Sequence, residues 1–181
     1  MHILVTGASG SGTTTQGGAL ANRLGASHFD VDAYYWLPTN PPFTQKRAPN
    51  ERLSLLLADL RTAPTAVVSG SVLEWGPEIE DAFDLIVFLY LETSLRIERL
   101  MQRELDRYGM IDSAFLEWAS KYDEDPSTSR SLAKHIVWLA NRACPVIDLR
   151  GDLSVSTRTA TILDKMRDLF VLEPNNLSLA D

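Results

Sequence analysis

The residues best suited to chemistry lie in the first fifteen positions, where a stretch rich in glycine, serine and threonine follows a short apolar run. The stretch reads Gly-Ala-Ser-Gly-Ser-Gly-Thr-Thr-Thr over residues 7–15. Compared with the phosphate-binding pattern G-x-x-x-x-G-K-[ST], it matches at Gly7, Gly12 and Thr14. It differs at Thr13, where the pattern has a lysine that reaches the β- and γ-phosphates.

This composition suits a loop that binds phosphate. Glycines let consecutive backbone N–H groups turn inward, and the helix predicted to follow points its positive end at the same place. The hydroxyl of Thr14 stands where a Mg²⁺ ligand is needed. A flexible turn between a strand and a helix is the alternative interpretation. The candidate phosphate-binding residues are Gly7, Ala8, Ser9, Gly10, Ser11, Gly12, Thr13, Thr14 and Thr15.

Two carboxylates end the second predicted strand, Ser-His-Phe-Asp-Val-Asp over residues 27–32. Because side chains alternate along a strand, Asp30 and Asp32 are expected on the same face. They follow closely on the phosphate loop, so they are candidates for a metal ligand acting through water or for a base that accepts a proton from a substrate hydroxyl. The alternative is a solvated strand end.

Residues 33–49 combine aromatic side chains with prolines, which rule out a long helix or a central strand. Tyr34 and Trp36 could line a substrate pocket beside the phosphate site or fold into the core. Lys46 and Arg47 add positive charge near the end of this segment.

Four arginines share one face of a helix predicted over residues 93–108. They are either an anion-binding face turned toward transferring phosphates or a solvated face paired with Glu92 and Glu104. The arginines are Arg96, Arg99, Arg103 and Arg107, and the expected buried stripe is Ile97, Leu100, Met101, Leu105 and Tyr108.

Strand and helix patterns alternate along the whole chain, which predicts an α/β fold with a parallel sheet covered by helices on both faces. The predicted strands are residues 2–6, 27–32, 65–69, 84–91 and 145–149.

Composition restricts the classes of function. The 181 residues suit one domain, and the net charge of −7 argues against a nucleic-acid-binding surface. The single cysteine, Cys144, leaves no disulfide framework and suits a reducing cytoplasm. The sequence contains no run of eighteen apolar residues, so no membrane span is predicted.

These motifs resemble the small P-loop kinases, which include adenylate kinase, shikimate kinase and gluconate kinase-like proteins. The chain is most similar to a bacterial group of adenylate-kinase-related proteins, and the resemblance covers residues 1–170. The shared motifs are Gly-Ala-Ser-Gly-Ser-Gly-Thr-Thr-Thr, Phe-Asp-Val-Asp, Pro-Pro-Phe-Thr-Gln-Lys-Arg, Leu-Glu-Trp-Ala-Ser-Lys-Tyr-Asp and a late Arg-Gly-Asp.

The resemblance implies a three-layer domain over residues 1–172, with five parallel strands in the order 2-3-1-4-5 and a loose tail over 173–181. It implies an acceptor-binding segment at about 33–61 and a short lid at about 99–113. ATP phosphates would lie on the loop, with Mg²⁺ at Thr14. Asp30 and Asp32 would serve the metal or the acceptor, Arg99, Arg103 and Arg107 would belong to the lid, and Arg150 would lie near the adenine.

The leading hypothesis is therefore a kinase that moves the γ-phosphoryl of Mg·ATP to a small acceptor. A nucleoside monophosphate would suit the arginines, and a hydroxyl metabolite would suit the two aspartates. Arg103 or Arg99 is the hypothesised substitute for the missing lysine. The alternative is a nucleotide-binding protein with little or no turnover, and a hydrolase ranks lower because no Gln or Glu stands out to position water. A monomer and a homodimer are equally compatible with this fold.

Overall fold

A computed structural model of the chain describes residues 1–124, 126–127 and 130–170. The tail predicted over 173–181 lies outside these residues. The five strands form one parallel sheet in the order β2-β3-β1-β4-β5, as expected. Their bounds are β1 His2–Gly7, β2 Ser27–Asp30, β3 Ala66–Ser69, β4 Leu85–Tyr90 and β5 Val146–Arg150.

Helices cover both faces of the sheet. Their bounds are α1 Thr13–Leu24, α2 Val31–Tyr35, α3 Pro49–Thr62, α4 Pro77–Glu80, α5 Thr93–Tyr108, α6 Ser113–Ser120, α7 Leu132–Ala140 and α8 Val155–Phe170. None of the helices in the described ranges has the length and apolar content needed to cross a membrane.

The central strands are apolar on both faces because each face supports a separate core. Leu4, Val68 and Ile86 face a cluster that includes Leu56 and Leu60 of α3. The alternate strand positions face α1 and α8, where the packed side chains are Ile3, Val5, Val67, Val87, Leu20, Ala21, Ile162 and Met166. Such continuous apolar runs are the pattern of strands in a parallel sheet covered on both sides.

Strand register places the two sequence motifs at the same edge of the sheet. Val5 of β1 and Asp30 of β2 both pair with Ser69, the last residue of β3. The loop after β1 and the carboxylate that ends β2 therefore leave the sheet side by side with the end of β3. In open α/β sheets this carboxyl edge is where ligands bind.

The expected geometry of the two aspartates was wrong. The second strand ends at Asp30, two residues earlier than predicted, so Asp30 and Asp32 do not alternate along one strand. Asp30 is instead the N-cap of α2, where its carboxylate accepts a hydrogen bond from the backbone N–H of Asp32 at 3.0 Å. N-capping by aspartate favours the start of a helix at this point.

The predicted faces of α5 were also partly wrong. Leu100 is buried as expected, but Met101, Leu105 and Tyr108 are 40%, 45% and 39% exposed. Arg96, which we assigned to a polar face, is fully buried, and Glu104 is buried as well. The inward face of α5 is therefore centred on the line from Arg96 through Leu100 to Glu104, spaced at i, i+4 and i+8.

Candidate functional site

The loop between β1 and α1 has the backbone shape of an anion-binding nest. Gly10 and Gly12 have φ angles of +86° and +91°, which side chains other than glycine rarely adopt. The N–H of Ser11 donates to the carbonyl oxygen of Ala8 at 3.1 Å, which closes a tight turn. Among the residues that the structure describes, no side chain caps α1, and its N-cap is Gly12, so the first N–H groups of this helix remain available to a ligand.

The hydroxyl groups of the loop differ in their access to solvent. Ser11 is buried, Thr13 is half-buried, and Thr14 and Thr15 are exposed in the first turn of α1. The Thr14 hydroxyl is thus accessible at the helix N-terminus. Among the described residues, no group of three histidine, cysteine, aspartate or glutamate side chains could hold a metal. A Mg²⁺ ion at Thr14 would depend on phosphate oxygens and water for most of its ligands.

Two buried guanidiniums hold the loop from behind. Arg158 of α8 donates from Nη1 to the carbonyl oxygen of Ser11 at 3.0 Å and from Nη2 to that of Gly151 at 3.0 Å. Arg96 of α5 donates from Nη1 to the carbonyl oxygen of Ser9 at 3.3 Å. Sequence reasoning missed Arg158, although it lies four residues before Ile162 on the buried stripe of α8.

The carboxylates lie at the start of α2, close to a second group of arginines. Asp32 has access to solvent, but the protein around it reduces the hydration of its carboxyl, and this raises its pKa. The Asp30 carboxylate raises that pKa further, whereas Arg130 and Arg103 lower it. Asp30, Arg103 and Arg130 are thus close enough to Asp32 to act on its charge, and sequence reasoning missed Arg130.

The arginines predicted to form an anion-binding face lie in different environments. Arg99 forms an ion pair with Asp152, which follows β5. Arg103 Nη2 lies 3.3 Å from Glu104 Oε1, and the guanidinium carbon of Arg103 lies 5.7 Å from the centre of the Phe115 ring. Arg107 is exposed. Arg99 and Arg103 thus already have carboxylate partners, which matches the paired interpretation in part.

The aromatic segment is folded onto α3 rather than left as an open loop. The Tyr34 hydroxyl donates to Asp59 at 2.5 Å, and Arg47 donates from Nε to the carbonyl oxygen of Tyr34 at 3.0 Å. Trp36 and Lys46 pair across an isolated antiparallel bridge. Tyr34 and Arg47 therefore hold the segment in place. Trp36 acts directly on a proposed site residue, because the hydrogen bond of its indole N–H stabilises the ionised form of Asp32 and lowers the pKa of that carboxyl.

Arg52 of α3 is a further cation that sequence reasoning missed. Its guanidinium carbon lies 4.7 Å from the centre of the Tyr35 ring and 4.4 Å from that of the Trp75 ring. Its buried Nε has no hydrogen-bond partner among the described residues. Lys46 lies 5.7 Å from the centre of the same Tyr35 ring, and Arg130 interacts electrostatically with Tyr35. The segment that follows Asp32 is thus surrounded by positive charge.

Arg150 ends β5 at the carboxyl edge of the sheet. Its Nε and Nη2 donate to Asp148 at 3.0 Å and 2.9 Å, and its guanidinium carbon lies 5.1 Å from the centre of the Tyr90 ring. The next residue, Gly151, donates its N–H to the carbonyl oxygen of Tyr90 at 3.0 Å. Arg158 links this loop to the phosphate loop, because it bonds to both.

Several solved structures with the same architecture are kinases. Shikimate kinase from Acinetobacter baumannii matches with a TM-score of 0.59 and 16% identity, over 93% of this chain and 94% of that one. A gluconokinase from Sinorhizobium meliloti 1021 matches with a TM-score of 0.55 and 20% identity, over 95% and 97%. Deoxyadenosine kinase from M. mycoides matches with a TM-score of 0.55 and 15% identity, over 93% and 100%. The protein thus has the P-loop kinase fold.

Sequence similarity identifies the family within this class. The chain is 43% identical over 174 residues to the "Uncharacterized protein YqaC" of Bacillus subtilis strain 168, an alignment that covers 91% of this chain and 95% of that protein. The chain belongs to the same family as YqaC. No protein-family model matches the chain.

Proposed function

We propose that the protein is an ATP-dependent phosphotransferase that moves the γ-phosphoryl group of Mg·ATP to a small acceptor. The observation that carries this proposal is the position of the Asp30–Asp32 carboxylates at the same edge of the sheet as the positive-φ loop between β1 and α1. Phosphoryl transfer depends mainly on positioning and on charge neutralisation, and these two motifs supply a phosphate cradle and a base at one edge.

In this proposal the loop residues bind the nucleotide. The N–H groups of residues 7–15 would bind its phosphates, and Arg150 would lie beside its adenine. Mg²⁺ would be held by the Thr14 hydroxyl and, through water, by Asp32, and when bound it neutralises charge on the transferring phosphoryl group. As in the adenylate-kinase-related group that the motifs resemble, residues 1–172 would form one domain with a short lid at about 99–113.

The acceptor would bind between the aspartates and the segment at about 33–61. Asp32, or Asp30 beside it, would accept the proton of an acceptor hydroxyl. Arg99 and Arg103 would neutralise the transferring phosphoryl group, and Arg107 would contact the acceptor together with Tyr34, Trp36, Lys46 and Arg47. The cations near Tyr35 favour an acceptor that carries a negative charge of its own, a condition that a nucleoside monophosphate and an acidic hydroxyl metabolite both meet.

A nucleotide-binding protein with little or no turnover is the second candidate. The observation that favours it is Thr13, which replaces the lysine that contacts the β- and γ-phosphates in the P-loop pattern. Both candidates would operate in the cytoplasm, as a monomer or a homodimer. They differ in whether phosphoryl transfer follows binding.

Calorimetry with Mg·ATP tests the step that the two candidates share. Wild-type protein should bind with a micromolar dissociation constant, and Thr14→Ala should weaken binding because the metal loses its only side-chain hydroxyl ligand from the loop. Thr62→Ala, at the end of α3, is a matched control that removes a hydroxyl elsewhere. Failure of wild-type protein to bind millimolar Mg·ATP would contradict both candidates.

A transfer assay then separates the two candidates. Wild-type protein is incubated with γ-labelled ATP and a pool of nucleoside monophosphates and acidic hydroxyl metabolites. Label transferred to an acceptor supports the kinase. Tight ATP binding without transfer to any member of the pool, and without ATP loss, supports the protein with little turnover.

A further inference from the structure

We propose that Arg158 supplies, from behind the phosphate loop, the positive charge that Thr13 cannot, and that it acts through the peptide that joins Ser11 to Gly12. This inference rests on the proposed function, since it assumes that the loop binds phosphate. Arg158 lies outside the P-loop pattern, on α8.

The guanidinium of Arg158 is held in one place against the phosphate loop. Its side chain is on α8 and is only 3% exposed. A Cβ atom added at Gly12 would lie 3.5 Å from its Nη1, so the guanidinium lies directly against the loop. Both of its hydrogen-bond partners, Ser11 and Gly151, contribute neutral carbonyl oxygens. Within the described part of the chain, Arg158 forms no salt bridge and its Nε has no hydrogen-bond partner.

Peptide geometry carries this charge to the other side of the loop. In a trans peptide the C=O and N–H bonds point in opposite directions. Because the Ser11 carbonyl points at Arg158, the Gly12 N–H must point away from it, to the opposite side of this peptide. A cation at the carbonyl also polarises the peptide and strengthens its N–H as a donor. Arg96 has the same relation to the Ser9 carbonyl and hence to the Gly10 N–H.

The other candidate cations are less well placed to replace a lysine permanently. The side chains of Arg99 and Arg103 are 41% and 40% exposed, and each pairs with a carboxylate. Solvent and the paired carboxylates weaken their effect on a phosphate. Arg158 is buried and forms no salt bridge among the described residues, and the nearby Arg99 guanidinium acts on it more strongly than the Asp152 carboxylate, so its charge acts on the loop with less screening.

The test measures the binding of Mg·ATP and of inorganic tripolyphosphate to the full chain by calorimetry. Arg158→Gln should weaken both ligands about ten- to a hundredfold, because a charge-assisted contribution is lost. Arg158→Lys keeps the charge and should stay within about threefold of wild type. Arg167→Gln is the matched control, since it removes the same charge from an exposed site on the same helix, and it should change neither affinity.

A rescue experiment separates charge from loop architecture. Thr13→Lys restores the lysine of the P-loop pattern, and in the Arg158→Gln background it should return most of the lost affinity for both ligands. A merely structural role for Arg158 would leave the double variant as weak as Arg158→Gln. Loss of ATP affinity with unchanged tripolyphosphate affinity would also overturn the proposal, because it would place the effect at the Gly151 loop.

The folding of Arg158→Gln and ligand binding by wild-type protein separate the role of Arg158 from the proposed function. If Arg158→Gln does not fold, Arg158→Lys decides alone, and a tenfold loss in that variant contradicts the proposal. If wild-type protein binds neither ligand, the proposed function fails before Arg158 is tested. If wild-type protein binds both ligands and Arg158→Gln matches Arg167→Gln, only the role of Arg158 is refuted.

Discussion

At the scale of single residues, Asp32 lies in the proposed site, and its ionised carboxylate lowers the stability of the folded protein. Its ionised carboxylate lies beside Asp30 in surroundings that reduce its hydration, so its pKa is raised. A group whose pKa is raised in the folded protein favours folding when protonated, and that contribution is lost as the pH rises through its folded pKa. At neutral pH the ionised Asp32 therefore opposes folding, as is common at functional sites.

Replacing Asp32 with asparagine should accordingly separate activity from stability. We expect Asp32→Asn to lose phosphoryl transfer at least about a hundredfold, since the base is gone, while its Tm at pH 7 is equal to or above that of wild type. The difference in Tm should shrink on acidification, because the wild-type carboxyl then protonates. Asp168→Asn on α8 is the control for both measurements. A Tm clearly below that of wild type at pH 7 would show that the Asp32 charge stabilises the fold.

His135 gives a second prediction, for stability alone. It is fully buried on α7, and its Nδ1 lies 2.9 Å from the Tyr122 hydroxyl. Burial, together with the positive charge of Arg130, lowers the pKa of His135 to about 4. Because the unfolded state takes up a proton near pH 6.5 and the folded state does not, stability should fall between about pH 6.5 and pH 4, by up to about 3 kcal/mol.

Urea unfolding at several pH values measures this effect. Wild-type protein should lose stability steadily below about pH 6.5, and His135→Gln should show a flatter dependence over the same interval. His28→Gln, at an exposed residue of β2, is the control for the loss of a histidine. Equal slopes for His135→Gln and wild type would mean that folding does not lower the pKa of His135.

At the scale of elements, the buried arginine of α5 joins parts of the chain that are far apart in sequence. Arg96 donates to the carbonyl oxygens of Leu91, Ser9 and Ala119 and to the Thr93 hydroxyl. It thus connects the end of β4, the phosphate loop and α6. Replacing it with methionine would leave several buried acceptors without a donor.

We therefore expect Arg96→Met to lower the free energy of unfolding by about 3–5 kcal/mol. Arg107→Met, on the exposed end of the same helix, should change it by less than about 0.5 kcal/mol. Chemical denaturation of the two variants beside wild type provides the measurement. Similar stabilities for the two variants would show that the bonds of Arg96 contribute little to the folded state.

The strands, the Gly-rich loop and the two buried arginines show which parts of the fold can be predicted from the sequence and which cannot. The strands are predictable because β-forming apolar runs such as residues 85–90 have few alternatives, and the Gly-rich loop is predictable because its glycines are required by its backbone. The burial of Arg96 and of Arg158 was not predicted because a hydropathy pattern assigns arginine to the surface. Only the tertiary structure supplies the carbonyl partners that make their burial favourable.

At the scale of the whole molecule, the proposed site is assembled from segments that share only an edge of the sheet. The loop after β1, the aspartates after β2 and the arginine that ends β5 are distant in sequence. The parallel strands in the order β2-β3-β1-β4-β5 bring their carboxyl ends together. This arrangement concentrates Arg96, Arg99, Arg103, Arg130 and Arg158 near the site of a protein whose net charge is −7.

The local positive charge and the overall negative charge therefore have opposite effects on the binding of an anionic nucleotide. The net negative charge repels ATP over long distances, and salt weakens that repulsion. The arginines attract it at short range, and salt weakens that attraction as well. Because the Debye length falls from about 30 Å at 0.01 M to about 8 Å at 0.15 M salt, both effects weaken over this range, and the larger of the two determines whether ATP affinity falls or rises.

We expect the attraction by the local cations to be the larger effect, so that ATP affinity falls as the salt concentration rises from about 0.01 M to about 0.15 M. Calorimetry at several salt concentrations, with Arg158→Gln and Arg167→Gln in parallel, measures the slope. Arg158→Gln should reduce the slope, because one of the attracting charges is gone, and Arg167→Gln should leave it unchanged. An affinity that rises with salt would mean that the acidic surface outweighs the arginines, and the nucleotide would then have to bind away from them.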